Sequence, residues 1–217
     1  MLKRTSQAAF ASGMFVFPGG RVDGDDHLHK YDRYRVGPSQ EQAPQVEALG
    51  YEWRGFWIAA LRETFEEAGL ILAYDSAGEM VSLASDKDYT RFQEYREPLH
   101  RHKLSLLEIC QTENLKLAVD RVHFYNRFVT PLGRPRRFDT RFFIASAPEE
   151  QRGRHDEMET VESIWITPQE ALKLHEQKEF GLMNVTRIQL ERLALFPDKH
   201  SLLSLIHISE PTRRYRI

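Results

Sequence analysis

The chain has 217 residues and a mass of 25.4 kDa, which suits a single domain. Hydrophobic residues make up 41% and charged residues 29%, an ordinary balance for a soluble globular protein. The net charge of −2 does not favour binding to bulk nucleic acid or to an anionic membrane surface. No apolar run is long enough to span a membrane. The single cysteine excludes an internal disulfide and predicts a reducing, cytoplasmic setting.

The first third of the chain is predicted to contain a strand, a long loop and a helix. Residues 14–17 are apolar and end at Pro18, which indicates a short buried strand. Residues 23–50 are rich in Asp, His, Gln, Pro and Gly, and we interpret residues 24–50 as an inserted loop or mobile excursion. From Glu52 apolar residues recur at helical spacing until Gly69, which is typical of a helix end.

The rest of the chain alternates between strand and helix patterns. We expect strands at residues 70–74, 122–130, 137–145 and 161–166, with the second and third forming a hairpin. Residues 86–113 look helical, Thr167 and Pro168 are a good helix start, and 185–195 is expected to be the last helix. One domain is therefore predicted over residues 1–200. The tail 201–217 fits no preceding pattern and resembles translated adapter sequence, so native and non-native origins are both open and it carries no functional argument.

Three acidic residues share one face of the first predicted helix. Glu63, Glu66 and Glu67 are spaced at i, i+3 and i+4 and follow Arg62 directly. Like charges at this spacing repel one another by a few tenths of a kcal/mol per pair. A divalent cation such as Mg²⁺ or Mn²⁺ removes this conflict, because both prefer carboxylate oxygens. The alternative is a solvated acidic helix face, since glutamate is a common helix former.

The full string around these residues resembles the Nudix hydrolase signature, G-x5-E-x7-R-E-U-x-E-E-x-G-U, where U is a bulky apolar residue. Its second half matches at Arg62, Glu63, Glu66, Glu67, Gly69 and Leu70. The glycine end is present at Phe17-Pro18-Gly19-Gly20. Arg62 lies 42 positions after Gly20 instead of 14, so the box is split by about 28 extra residues.

The split leaves the first glutamate of the signature unassigned. Counted back from Arg62, that position is occupied by Arg54. Asp23, Asp25 and Asp26 are alternative carriers of the carboxylate, and the sequence does not choose among them.

A split box resembles one branch of the Nudix hydrolases, the branch of the peroxisomal coenzyme A diphosphatase of animals and its bacterial relatives. The resemblance covers about residues 2–198 and is carried by residues 15–23, 60–69, 129–131 and 136–143. Members of this branch usually have one more strand before Leu2, so we expect that the chain lacks an N-terminal strand.

The resemblance implies an α/β fold. It is a Nudix α/β/α sandwich around a mixed β-sheet, with a long insertion inside the box and added helices. It also implies a metal site of Mg²⁺ or Mn²⁺, with Glu66 and Glu67 as ligands, Glu63 as a ligand or as the group that orients the water, and the Gly20 carbonyl as a further ligand. Arg62 is implied as an organiser of this catalytic set.

The catalytic base of Nudix enzymes varies and often lies on a later loop. The acidic candidates here are Glu150, Asp156, Glu157 and Glu159, and an exposed acidic loop is the alternative. Arg21, Arg137 and Arg141 are candidates for binding substrate phosphates. Arg137, Asp139 and Arg141 alternate on one predicted strand, so their side chains share a face, either as a phosphate site or as a cross-strand charge ladder.

Other reactive residue types give no site. The pairs His27 with His29 and His100 with His102 are predicted to be surface histidines rather than metal ligands. Cys110 lies among apolar residues, which favours a buried core thiol over a nucleophile.

The leading functional hypothesis is hydrolysis of coenzyme A or acyl-coenzyme A to 3′,5′-ADP and (acyl-)phosphopantetheine, a substrate implied by the resemblance. One alternative keeps the chemistry and changes the small-molecule substrate to NADH, ADP-ribose or another nucleotide conjugate. Another is a Nudix-fold binding protein with little or no catalysis. Many relatives dimerise, and a homodimer is an open alternative although the sequence has no apolar stripe that supports it.

Overall fold

A computed structural model describes residues 1–8, 11–133, 136–156 and 158–208. Its strands are β1 (Leu2–Arg4), β2 (Phe15–Val16), β3 (Arg35–Val36), β4 (Ala73–Tyr74), β5 (Lys116–Ala118), β6 (Val122–Val129), β7 (Asp139–Ala145) and β8 (Thr160–Ser163). Its α-helices are α1 (Ala43–Leu49), α2 (Trp53–Ala68), α3 (Asp86–His100), α4 (Leu106–Thr112), α5 (Pro168–Glu176), α6 (Asn184–Leu193) and α7 (Lys199–Ile208). In this part of the chain, each helix is too short or too polar to cross a membrane.

The strands form three small sheets. Strand β1 lies between β2 and β8 and is antiparallel to both, with Leu2 opposite Val16 and Ser163. Strand β5 lies between β3, which is parallel to it, and β4, which is antiparallel, so this sheet is mixed. Strands β6 and β7 form the predicted hairpin. Helices pack around these sheets, and the predicted α/β class is confirmed.

The main core is organised around α2. Trp57, Ile58, Leu61 and Phe65 on this helix are buried. Each fully buried side chain of this size contributes about 1.5–3 kcal/mol to stability. The indole Nε1 of Trp57 also donates a 2.8 Å hydrogen bond to the Val122 carbonyl, which fixes α2 against the hairpin. The same helix also carries Arg62, Glu63, Glu66 and Glu67.

The ends of the helices follow local rules that the sequence made visible. Gly69 ends α2 in a left-handed conformation with φ of 68°, which a residue with a side chain adopts only at a cost. The Thr167 side chain accepts a hydrogen bond from the Glu170 amide and Pro168 follows it, so the predicted start of this helix is confirmed.

The insertion is the main departure from the sequence-based expectation. Residues 24–50 contain three short 3₁₀ helices, strand β3 and helix α1, so the prediction of a long loop is wrong. Tyr31 is buried in the main core, and the Gln42 amide donates to the carbonyls of Val119 and Val122 at 2.9 and 2.8 Å. Gln45 accepts a hydrogen bond from the Phe124 amide. These polar residues order the segment because distant backbone groups satisfy them.

Several predicted boundaries also change. Residues 86–113 form two helices, because a turn follows His100 and Ser105 caps a second helix by accepting from the Glu108 amide. Only residues 73–74 of the expected strand 70–74 are paired. Helix α7 follows the helix that was expected to be last and reaches into the tail, whose residues 209–217 lie outside the described part. Strand β1 was not predicted, because its sequence is polar and basic.

Candidate active site

Arg62 is the centre of the site and lies on the C-terminal half of α2. Its Nε and Nη2 atoms donate to the two carboxylate oxygens of Asp26, each at 3.0 Å. Its Nη1 atom donates to Glu63 Oε1 at 3.0 Å and to Glu66 Oε1 at 2.9 Å. Burial alone would lower the pKa of Arg62, but the hydrogen bonds and charge of Asp26 raise it. The guanidinium is therefore permanently charged and fixed, which suits an organising role.

Asp26 supplies the carboxylate that the sequence left unassigned. It is 1% exposed, and its Oδ2 atom also accepts a 2.8 Å hydrogen bond from the Asp23 amide. The sequence contained a signal for it, because Asp26 is the sixth residue after Gly20, the spacing that the signature prescribes from its glycine end. Counting back from Arg62 instead led to Arg54, which pairs with Asp32 elsewhere. The extra residues therefore lie between Asp26 and Arg62.

Glu63 and Glu67 on α2 meet the glycine loop. The Gly19 amide donates to Glu67 Oε2 at 2.9 Å. A Cβ atom placed on Gly20 would lie 2.3 Å from Glu63 Oε1, so the loop backbone approaches this carboxylate so closely that a side chain at this position would displace it. Both carboxyl groups are mostly buried, and the loop and helix together form a polar cradle.

The acidity of these two groups reflects that environment. Burial is the main cause that raises the pKa of Glu63 to about 7, with Arg62 opposing it. Burial likewise raises the pKa of Glu67 to about 8, against the Gly19 hydrogen bond and with a contribution from the charge of Glu63. The charges of Glu66 and Asp26 add to the rise in pKa at Glu63, and the charge of Glu63 adds to the rise at Glu67. Buried carboxyl groups that repel their neighbours in this way are the kind of donor that a divalent cation stabilises.

The cradle fits a metal ion in its donor chemistry, but not as a preformed three-carboxylate cage. Within the described residues, no group of three or more His, Cys, Asp or Glu side chains is arranged to hold an ion. Arg62 Nη1 lies between Glu63 and Glu66 and binds both, so the Glu66 carboxylate faces the guanidinium. Glu63, Glu67 and the Gly20 backbone are the groups that could hold a divalent cation.

A comparison with models of protein families assigns this chain to a family. The model of the NUDT19 Nudix domain matches residues 39–193. The chain belongs to this family of Nudix hydrolases. The split Nudix box predicted from the sequence therefore occurs in a chain that the family model matches.

Individual relatives agree with the family match at modest identity. The protein of Gallus gallus named acyl-coenzyme A diphosphatase NUDT19 is 28% identical over 93% of this chain and 62% of its own length. Proteins of the same name from Homo sapiens and Xenopus laevis are 26% and 24% identical, each over 90% of this chain and over 60% and 59% of their own lengths. The chain thus spans about three fifths of the length of these relatives.

A solved structure supports the fold independently. The crystal structure of a NUDIX hydrolase from Alicyclobacillus acidocaldarius matches with a TM-score of 0.76 and 23% identity. The match covers 94% of this chain and 86% of that one. The Nudix fold is therefore confirmed over nearly the whole length described above.

Arg96 on α3 holds the C-terminal end of α2 in place, a role that was not predicted from the sequence. Its guanidinium is buried and donates to the carbonyls of Glu66 and Glu67 at 2.9–3.0 Å, and also to the Arg154 carbonyl at 2.9 Å. The Glu66 and Glu67 carbonyls are in the last turn of α2, where carbonyls have no amide partner within the helix. The available signal was its position, because Arg96 falls on the same helix face as the buried residues Phe92 and Leu99.

Among the candidate bases that the structure describes, Glu159 is the one whose charge acts on a carboxyl group of α2. Its charge contributes to the raised pKa of Glu67, and its Oε2 atom pairs with Arg4 at 3.1 Å. Its Oε1 atom lies 3.9 Å from His100 Nε2, while His100 Nδ1 lies 3.9 Å from Glu66 Oε2. His100 is 25% exposed and thus lies at the edge of the site, within 3.9 Å of both carboxylates.

The other acidic candidates are placed differently. The Asp156 side chain accepts hydrogen bonds from the amides of Met158, Glu159 and Thr160, which hold its pKa below the ordinary value although burial would raise it. Asp156 therefore shapes the loop that presents Glu159. Glu150 is exposed, and Glu157 lies outside the described residues.

The predicted phosphate-binding arginines separate in the structure. Arg141 stacks on Phe56 of the Nudix helix, with its guanidinium carbon 4.2 Å from the ring centre. Arg137 precedes strand β7 instead of lying on it, and its Nε atom donates to the Thr130 carbonyl. The Arg21 side chain is exposed, while its carbonyl accepts from Arg62 at 2.8 Å. Arg127, which the sequence analysis overlooked, pairs with Asp139 through two 2.6 Å hydrogen bonds.

The cysteine prediction is confirmed. Cys110 is fully buried in the main core, and burial raises the pKa of its thiol to about 12. A thiol this weakly acidic is protonated at neutral pH and does not act as a nucleophile.

Proposed function

We propose that this protein is a divalent-metal-dependent diphosphatase that hydrolyses the diphosphate linkage of coenzyme A or an acyl-coenzyme A. The products are 3′,5′-ADP and phosphopantetheine or its acyl form. The observation that carries the proposal is the cradle formed by Glu63, Glu67 and the Gly19–Gly20 backbone, in which two buried carboxyl groups with raised pKa face a close backbone turn.

The metal-binding role is assigned to specific groups of this chain. The carboxylates of Glu63 and Glu67 and the Gly20 carbonyl would hold Mg²⁺ or Mn²⁺. The Glu66 carboxylate would become a further ligand if its hydrogen bond with Arg62 broke. When bound, such an ion neutralises the diphosphate and polarises its phosphoryl oxygens. Arg62 and Asp26 keep the carboxylates in position, and Arg96 fixes the helix end that carries them.

Glu159 is the group we assign to proton transfer. A water molecule attacks one phosphorus atom of the diphosphate, its oxygen forms the new P–O bond, and the bridging P–O bond breaks. Glu159 accepts the proton that the water loses, because its carboxylate is near Glu67 and is presented by the Asp156 loop. Arg4 holds the carboxylate through a hydrogen bond to its Oε2 atom, and His100 lies 3.9 Å from its Oε1 atom.

The substrate assignment is supported by the names of the relatives, which are called acyl-coenzyme A diphosphatases. The free, buried thiol of Cys110 is compatible with the reducing, cytoplasmic setting proposed from composition. A homodimer stays a prediction that only a measurement of mass in solution decides.

Product analysis tests this proposal directly. The protein is incubated with Mg²⁺ and, separately, with coenzyme A, NADH and ADP-ribose, beside Glu67→Gln and the control Glu162→Gln, which changes an exposed pair with Lys3. Release of 3′,5′-ADP from coenzyme A, lost in Glu67→Gln and kept in the control, is the expected result. Cleavage of NADH or ADP-ribose alone overturns the substrate assignment. Absence of turnover with all three overturns the enzymatic proposal and favours a binding protein.

A further inference from the structure

An arginine pair lies on the β6–β7 hairpin. Arg127 and Arg141 are directly opposite one another in the strand register. Asp139 lies beside them, accepting two hydrogen bonds from Arg127 and pairing with Arg141 Nη1 at 3.1 Å. Like charges directly across two strands are unfavourable unless an anion lies between them. One carboxylate against two guanidinium groups leaves a net charge of +1 at this point.

The surrounding hairpin is strongly basic. Residues 122–145 contain five arginines, and Asp139 is the one acidic residue among them. The whole chain, in contrast, has a net charge of −2. A cross-strand charge ladder balances its charges, as Lys3 and Glu162 do across β1 and β8. The excess of arginine here indicates attraction of an anion from solution.

The pair is also close to the proposed catalytic cradle. Arg141 packs on Phe56, which lies seven residues before Glu63. Seven residues are two helical turns, so both side chains share one face of α2, about 10 Å apart along the axis. Ala60 lies between them, and its small side chain keeps that face open. On the other face of β7, Phe142 contacts Phe17 at the start of the glycine loop.

We propose that Arg127 and Arg141 bind a phosphomonoester of the substrate, beside Phe56 on the helix that also carries Glu63 and Glu67. This inference rests on the proposed function and narrows its substrate class. Such a subsite favours nucleotide conjugates that carry a separate phosphate on the ribose, such as coenzyme A with its 3′-phosphate. Conjugates without that phosphate, such as NADH and ADP-ribose, would bind less well. Guanidinium groups suit this task because their paired N–H groups match phosphate oxygens.

A binding experiment tests the subsite without relying on turnover. The chain is titrated calorimetrically with adenosine 3′,5′-bisphosphate and with AMP, two ligands that differ by one phosphate and offer no diphosphate to hydrolyse. The unmodified chain should bind the bisphosphate at least about tenfold more tightly, and Arg127→Gln should reduce that ratio towards one. Arg127 is the primary position because its side chain is half exposed and its loss should leave the fold intact.

Controls separate this subsite from general charge effects. Arg187→Gln removes an exposed arginine that pairs with Glu191 and Asn184, and it should keep the ligand ratio. Arg141→Gln should lower the ratio as Arg127→Gln does, with thermal unfolding checked because Arg141 also packs on Phe56. A ratio near one in the unmodified chain, or an unchanged ratio in Arg127→Gln, overturns the proposal.

Kinetics then link the subsite to the reaction. The ratio of kcat/KM for coenzyme A to that for 3′-dephospho-coenzyme A should fall at least about tenfold in Arg127→Gln. If neither compound is hydrolysed by the unmodified chain, the proposed function fails, and the calorimetric ratio still decides whether the phosphate subsite exists. An equal loss on both substrates would mean that Arg127 does not read this phosphate.

Discussion

Asp26 and Arg62 form a two-pronged ion pair that closes the split Nudix box, with Nε–Oδ1 and Nη2–Oδ2 distances of 3.0 Å. The two residues are 36 positions apart in sequence, and both are buried. The pair ties the segment after the glycine loop to the helix that carries Glu63, Glu66 and Glu67. It therefore maintains the geometry of the site although the insertion separates the two halves of the signature.

Asp26→Asn should strongly destabilise the fold. The change removes the carboxylate charge opposite a buried guanidinium, and breaking one side of such a pair costs about 3 kcal/mol or more. The measurement is the free energy of unfolding in urea. The matched control is Asp32→Asn, whose carboxylate pairs with Arg35 and Arg54 but is 36% exposed, so a loss of about 1 kcal/mol or less is expected there. Equal losses in the two variants would contradict a special role for the Asp26 pair.

The local part of the site was readable from the sequence. The spacing of Glu63, Glu66 and Glu67 and the stop at Gly69 depend only on helical periodicity and on the left-handed conformation of one glycine. The assignment of Asp26 needed one further step, a count from the glycine end of the signature, because the insertion makes a count from Arg62 misleading.

The contacts between residues far apart in the chain could not be predicted from the sequence. The insertion was expected to be a loop because it is polar, yet Gln42 and Gln45 bond to backbone groups 77–80 residues away. Arg96 supports the helix end from another helix, and His100 reaches Glu159 across 59 positions of sequence. Such contacts depend on tertiary packing, which neither composition nor periodicity encodes.

Gly20→Ala should impair catalysis more than stability. The added Cβ would lie 2.3 Å from Glu63 Oε1, so the flexible carboxylate must swing away from the loop. We expect activity to fall at least about tenfold, since ligand geometry sets metal affinity, with a small change in melting temperature. Gly24→Ala is the control, because its Cβ would meet no atom within 4 Å. Full activity in Gly20→Ala would show that the close approach is not needed.

The metal-free protein should lose stability as the pH rises from about 4.5 to about 8. The pKa of Glu63 is raised to about 7 and that of Glu67 to about 8, from an ordinary 4.5, mainly by burial. In this window the unfolded chain releases protons that the folded protein still holds, so unfolding becomes more favourable. Carboxyl groups with a lowered pKa, such as that of Asp156, titrate below this window.

Divalent metal should reverse this trend. Protons compete with the ion for Glu63 and Glu67, so the rise in melting temperature caused by Mn²⁺ should be small at pH 6 and larger at pH 8. The measurement is thermal unfolding in chelator and in Mn²⁺ across this range. Glu67→Gln, which cannot ionise, should flatten both curves. A metal-induced shift that is independent of pH would rule out binding through these carboxylates.

Glu159→Gln should lower kcat by about 10²–10⁴ with little effect on stability, since this is the contribution of a positioned base. Glutamine keeps the size of the side chain and an oxygen acceptor for Arg4, so the loop is retained. Asp156→Asn separates chemistry from structure, because it weakens the hydrogen bonds that shape the loop and should lower the melting temperature as well as the rate. The rate is measured at saturating substrate with each variant's melting temperature beside it. If Glu159→Gln keeps its rate while Asp156→Asn loses it, the carboxylate does not carry the proton and the loop acts through its shape alone.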